Sequence, residues 1–235
     1  KAGVFTVVKV VVYVFGLETL NDAGVSDWFT ILAGTTVIVA SLIALQQDNL
    51  KRRLAYSTVS QLSYVIMAAF ILSPISTMGA ALHVAVHAFG KITLFMAAGA
   101  IYTAAHKTKV SELNGIGKRM PWTMAAFAIG AISMVGLPPA AGFLSKWYML
   151  MGAVEVEQWF AVAVILASTL LNAAYFLPVV YAAFLKPEVL GSHAHEHGEA
   201  PLPIVLALVT TASATILLFL FPGPALELAT RLVSG

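Results

Sequence analysis

Cysteine is absent from the 235 residues, which excludes disulfides, thiolate metal sites and iron–sulfur clusters. Charge is nearly as scarce: Asp, Glu, Lys and Arg make up 10% of the chain, against about 25% in an ordinary soluble domain. The formal net charge of +2 is small and its basic residues are scattered, which argues against a nucleic-acid partner. No initiator Met, charged n-region or small-residue cleavage site precedes the first apolar stretch, so the chain reads as an excised or truncated piece. No polar stretch is long enough to form a soluble domain.

What remains is apolar. Hydrophobic residues make up 60% of the chain, and the mean hydropathy is +0.89. Crossing a bilayer as a helix takes about 20 apolar residues. Stretches of that kind recur at 2–16, 28–45, 54–72, 77–104, 122–153, 158–185 and 201–222. The expected fold class is an all-α polytopic membrane protein of about seven transmembrane helices, with the lipid bilayer as its solvent. The fifth stretch contains "GLPPAAG", where Pro138 and Pro139 remove two amide donors between Gly136 and Gly142. Two half-helices are expected there rather than one rod, and a broken helix at membrane depth lines something wet.

Loop charges test this division, because basic residues stay on the cytoplasmic side. The loop at 17–27 has no Lys or Arg, 46–53 has Lys51, Arg52 and Arg53, 73–76 has none, 105–121 has Lys107, Lys109, Lys118 and Arg119, 154–157 has none, and 186–200 has Lys186. The alternation supports seven spans, with the Lys51 and Lys118 loops inside and the tail after Phe221 outside.

Lys1, Lys9, His83, His87, Lys91 and Lys146 are left inside the membrane, while every Asp and Glu falls in a loop or the tail. A Lys at the centre of a lone helix costs about 2.5–3.5 kcal/mol on insertion scales. A wholly basic buried set is therefore a poor structural choice and points to function. His83, His87 and Lys91 are four residues apart. Each step turns about 40° beyond a full turn and rises about 6 Å, which makes a ladder on one helix face roughly 12 Å long. Imidazoles titrate near neutrality and a desolvated amine can give up its proton, so the ladder suits proton hopping through water. Gly90, before Lys91, offers a bend or an opening to water. The alternatives are snorkelling and hydrogen bonding within the bundle; for Lys9, near the end of the first stretch, snorkelling or loop contact weighs as much as relay.

Lys146 stands in the second half of the interrupted helix, where a lysine can gate a path to one face or anchor the half-helix end. Ser57, Ser60, Gln61 and Tyr64 form a polar stripe on the third span, read first as helix-to-helix hydrogen bonding and second as water coordination. Gly79, Gly99, Ala97 and Ala98 read as a packing face. His193, His195 and His197 in "GSHAHEHGEA" read as a solvated loop, and no four-ligand zinc spacing is present. The resulting divisions are a membrane translocation domain at 1–185, a His-rich polar loop at 186–200, and a C-terminal transmembrane helix with its tail at 201–235.

Three segments, "DNLKRRLAYSTVSQLSYV", "HVAVHAFGKITLFMAAGAIY" and "GLPPAAGFLSKWYML", occur here in order. They resemble the hallmark segments of the proton-conducting antiporter-like membrane subunits shared by respiratory complex I and Mrp-type cation/proton antiporters. With "LLNAAYFLPVVYAAF" the likeness leans to the Mrp D subunit. The resemblance runs from Lys1 to about Leu185. It implies the second of two inverted five-helix repeats and the last helix. It places Lys1 at the family's buried lysine of the eighth helix, His83, His87 and Lys91 at its eleventh-helix relay, and Lys146 at the lysine of its broken twelfth helix.

The function expected from this reading is a proton-translocating subunit of a monovalent cation (Na+)/proton antiporter. Protons pass along Lys1, His83, His87 and Lys91 and leave by Lys146. The expected setting is multi-pass in the cell inner (plasma) membrane, with other membrane subunits as partners, no cofactor, and transport rather than enzymatic catalysis. The alternative is the antiporter-like pumping subunit of a complex I or membrane-bound hydrogenase type oxidoreductase. A haem cytochrome is disfavoured, because His83 and His87 share one face and axial ligands approach iron from opposite sides. Direct Na+ binding is disfavoured too, since no carboxylate sits in a span.

Overall fold

The computed structural model describes residues 2–187 and 198–234; Lys1 and the triplet His193, His195 and His197 lie outside the described residues. The described residues are helical, in the order α1 (Ala2–Lys9, continued as a π-helical turn over Val10–Phe15), α2 (Leu17–Asp22), α3 (Ser26–Gln46), α4 (Leu50–Phe70), α5 (Pro74–Ala105), α6 (Pro121–Val135), α7 (Gly142–Glu155), α8 (Trp159–Leu185), α9 (Leu202–Leu220) and α10 (Gly223–Ser234). Four of these, α3, α5, α8 and α9, are long and apolar enough to cross a membrane by length and composition alone. Helix α4 is as long as α3, at 21 residues, but its polar stripe lowers its hydropathy. That stripe faces the bundle, because Ser57, Ser60, Gln61 and Tyr64 are all buried. The outer surface is apolar instead, with Trp28, Leu32, Leu166 and Leu170 all exposed, as a lipid-facing wall requires.

The expected interruption is present: the fifth stretch is two half-helices, α6 and α7. Elsewhere the expected spans shift. Residues 17–27, read as a loop, contain the short α2, and the chain turns into it at Gly16 with φ +78°. The residues beyond 222, read only as a tail, form the helix α10, whose Ala229 packs with Leu82, Val86 and Ala141. Helix α5 runs unbroken through Gly90. The missing side chain there admits the Met134 methyl, which lies 2.5 Å from where a Cβ would stand. Gly90 therefore serves close packing of α5 on α6 rather than a bend. Gly79 also packs, against Met149 of α7, whereas a Cβ on Gly99 would meet nothing within 4 Å, so Gly99 leaves the expected packing face.

The charge alternation has a physical counterpart. The two basic loops touch: Leu50 N donates to Thr108 O at 2.9 Å and Val110 N to Asp48 O at 2.7 Å. Asp48 accepts from the Ser111 amide at 3.0 Å and hydroxyl at 2.8 Å. These bonds hold the Asp48 carboxyl below its ordinary value of 3.8. The loops without Lys or Arg also meet, through Gln158 with Asp27 and Ser73 with Glu155, each at 2.8 Å. Glu199 accepts from the Trp122 and Thr123 amides, supplying the first turn of α6 with the anion its exposed N–H groups favour. Arg53, counted among the loop charges, is buried instead.

Candidate functional site

The site begins with a defect in the backbone. In a continuous helix the amides of residues 138 and 139 would bond to the carbonyls of Met134 and Val135. Both residues are proline and have no N–H. The chain leaves α6 at Gly136 with φ +90°, so the two carbonyls end the half-helix without those donors. Lys146 of α7 supplies replacements: Nζ donates to Met134 O at 2.9 Å and to Val135 O at 3.0 Å. A cation at a helix C-terminus is also favoured by the helix dipole. Its other neighbour is the Tyr64 ring, whose centre lies 4.9 Å from Nζ. Lys146 can swing into this place because α7 approaches α6 closely at Gly142, where a Cβ would stand 1.7 Å from Ser133 O.

Met134 O is a hub. Besides Lys146 it accepts from Gln61 Nε2 at 3.1 Å and, more weakly, from Asn172 Nδ2 at 3.4 Å. Gln61 Oε1 in turn lies 3.0 Å from His83 Nε2. An amide oxygen only accepts, so Nε2 carries a proton. The other ring nitrogen, Nδ1, lies 2.8 Å from Ser145 Oγ, and that hydroxyl is also 3.1 Å from Gly142 O. Ser145 can donate to a neutral His83, or accept from the imidazolium and turn its own proton to Gly142 O. Both protonation states of His83 are thereby hydrogen-bonded.

Lys91 lies at the other end. Its Nζ donates to Ser57 Oγ at 2.8 Å and Leu54 O at 3.1 Å, and stands 5.5 Å from the centre of the Phe176 ring. The Tyr175 hydroxyl is 3.0 Å from Ser57 Oγ and also bonds to Asn172 Oδ1. A phenol has one proton and Asn172 Oδ1 can only accept it, so Ser57 donates to Tyr175. The donors then run one way, from Lys91 through Ser57, Tyr175 and Asn172 to Met134 O. His87 lies between His83 and Lys91 along α5, fully buried, with its ring centre 6.0 Å from that of His83.

The structure thus gathers His83, His87, Lys91 and Lys146 in the interior, with Lys91 and Lys146 4% and 5% exposed. Lys9 is not with them: it is exposed on α1, stacked beside the Phe5 and Tyr13 rings. The α4 stripe divides by role. Ser60 bonds to Ser41 at 2.8 Å, and Tyr64 bonds to Ser168, which is the expected helix-to-helix bonding. Ser57 and Gln61 instead hold the basic side chains. Ser145, Asn172 and Tyr175 do not stand out in the sequence by residue type. Ser168, Asn172 and Tyr175, polar groups spaced four and three apart in an apolar run, are the signal it does contain. No periodicity marks a backbone carbonyl such as Met134 O.

Residues 1–172 match the family described as NADH:quinone oxidoreductase/Mrp antiporter, TM. An NADH-quinone oxidoreductase subunit N from Desulforudis audaxviator is 42% identical over 155 residues, 66% of this chain and 31% of the relative. The D subunit of a Na(+)/H(+) antiporter from Alkalihalophilus pseudofirmus is 32% identical over 185 residues, 78% of this chain and 37% of the relative. The solved Mrp complex from Dietzia sp. DQ12-45-1b contains a chain that superposes with a TM-score of 0.85 at 20% identity, over 92% of this chain and 48% of that one. The fold is therefore that of the membrane antiporter-like subunits, and this chain spans less than half the length of each of these relatives. With its broken helix and buried basic residues in place, the chain belongs to the NADH:quinone oxidoreductase/Mrp antiporter transmembrane family.

Proposed function

We propose that this chain carries protons across the plasma membrane as part of a multisubunit monovalent cation (Na+)/proton antiporter, with Lys1, His83, His87, Lys91 and Lys146 as the groups that load and release them. One observation carries the reading: every one of these groups within the described residues is buried, and His83, Lys91 and Lys146 join one polar network that converges on Met134 O. Direct steps account for part of the path and water for the rest. The Ser133 hydroxyl, buried beside the break and without a hydrogen-bond partner, offers a water its first contact. A proton falling through 100 mV yields about 2.3 kcal/mol, enough to drive changes of protonation at such sites. The 32% identity to the D subunit of an antiporter supports this reading.

The 42% identity to a subunit N of NADH-quinone oxidoreductase favours a second reading, in which the same network serves a redox-driven complex. Copurification separates them: small all-membrane partners imply antiport, and peripheral iron–sulfur subunits imply redox drive. Lys91→Ala and Lys146→Ala in the full complex test the shared core. Each should abolish proton movement in everted vesicles followed with a pH-sensitive dye, and normal transport by assembled variants refutes the relay.

A further inference from the structure

Arg53 lies outside the donor chain that begins at Lys91, yet it adjoins it. Leu54 O and Ser57 Oγ, the two acceptors of Lys91, are the next residue and the next turn of the same helix. The Arg53 side chain is 9% exposed. Nε donates to Gln47 O at 2.9 Å, Nη1 to Tyr175 O at 2.8 Å, and Nη2 reaches Leu45 O at 3.5 Å. One guanidinium therefore closes the gap between the end of α3, the start of α4 and the middle of α8. The carbonyl it meets on α8 lies in the turn before Pro178, where the ring disturbs the backbone ladder. This is the basic-loop end of the bundle, beside Asp48.

Proton hopping needs each member of a chain to take a proton on one side and give one up on the other. A guanidinium has five donors and no acceptor and does not deprotonate in proteins. Any wire extended from Lys91 towards the basic loops meets a group that cannot pass the proton on and whose fixed charge repels it.

We propose that Arg53 is a proton stop, which seals the Lys91 end of the network against the basic-loop face so that protons on Lys91 leave only through the interior. The inference rests on the proposed relay and adds a direction to it.

The test uses the full complex in everted vesicles, with a proton gradient imposed and no transported cation added, and a pH-sensitive dye to follow passive collapse. Arg53→His and Arg53→Gln place groups that both donate and accept, and each should speed collapse several-fold. Arg53→Met, which fills space and neither donates nor accepts, should hold the gradient as the unsubstituted complex does. Adding Lys91→Ala to Arg53→His should restore tightness. The proposal is overturned if the His and Gln variants assemble and stay tight, if the Met variant leaks as fast as they do, which signals lost packing, or if the leak survives Lys91→Ala. Lys91→Ala alone separates the two ideas: if that variant still transports, the relay fails, whatever Arg53 does.

Discussion

Lys146 Nζ stands 2.9 Å from the Met134 carbonyl, an oxygen that a helix continuing to residue 138 would have bonded with its own backbone. The lysine thus completes a structure that the two prolines leave open, and its proton holds the break together. Stability and transport then depend on different properties of one side chain. Lys146→Met should lower the thermal midpoint of the complex, because Val135 O is left buried without this donor at a cost of about 1–3 kcal/mol, and should stop transport. Lys146→Arg should keep much of the stability, since a guanidinium can meet both carbonyls, and still stop transport, because it does not release its proton. A thermal melt and the vesicle assay on the same preparations check both. An arginine variant that transports normally refutes proton release at Lys146.

The break itself was legible in the sequence, because consecutive prolines between glycines state their effect on a helix directly. The basic ladder was legible for the same reason: a period of four on an apolar stretch has one geometric meaning. Less could be read where a role depends on what lies opposite. Ser57 and Ser60 look alike on α4, yet one meets Lys91 and the other Ser41. Arg53 reads as a loop cation beside Lys51 and Arg52, and only the end of α3 and the approach of α8 make it buried. Gly90 and Gly99 are equally small, but the Met134 side chain fills the space beside one, and a Cβ on the other would meet nothing within 4 Å. Periodicity assigns faces, whereas tertiary contacts assign partners.

Gly142 and Gly99 make a matched pair for testing that distinction. A Cβ on Gly142 would stand 1.7 Å from Ser133 O, a backbone atom that cannot turn aside, while a Cβ on Gly99 meets nothing within 4 Å. Gly142→Ala should push α7 from α6, withdraw Lys146 from its carbonyls and prevent stable assembly. Gly99→Ala should leave the stability within about 0.5 kcal/mol of the original. Size-exclusion profiles and melts of the purified complexes decide the matter, and a well-assembled Gly142→Ala protein contradicts the geometry.

The junction of the two basic loops should respond to acid. Hydrogen bonds from the Ser111 amide and hydroxyl lower the Asp48 pKa from 3.8. A depressed folded-state value means that the contribution is complete above the ordinary value and is lost as pH falls through the folded one. Amide exchange at Val110 and Ser111, corrected for intrinsic rates, should therefore be protected at pH 6 and accelerate below about pH 4. Asp48→Asn should weaken protection at pH 6 and remove the carboxylate's share of the acid-induced acceleration. Equal protection of the variant and the original at pH 6 removes the carboxylate from the account.

Tyr175 and Tyr64 are both buried phenols, and the network assigns them different work. The Tyr175 hydroxyl accepts a hydrogen bond from Ser57 and donates one to Asn172, so Tyr175→Phe breaks the hydrogen-bonded link between the Lys91 partner Ser57 and Asn172 while leaving the ring that packs on Phe176. Tyr64 touches Lys146 through its ring face, and its hydroxyl bonds to Ser168 away from that chain. Tyr64→Phe keeps the ring and should slow transport by less than about threefold, whereas Tyr175→Phe should slow it by about tenfold or more, the equivalent of one hydrogen bond's worth of barrier. Both variants lose a similar buried hydroxyl, so similar melts with unequal transport identify the network as the cause. Equal transport by the two shows instead that protons bypass Tyr175 on their way between Lys91 and Lys146.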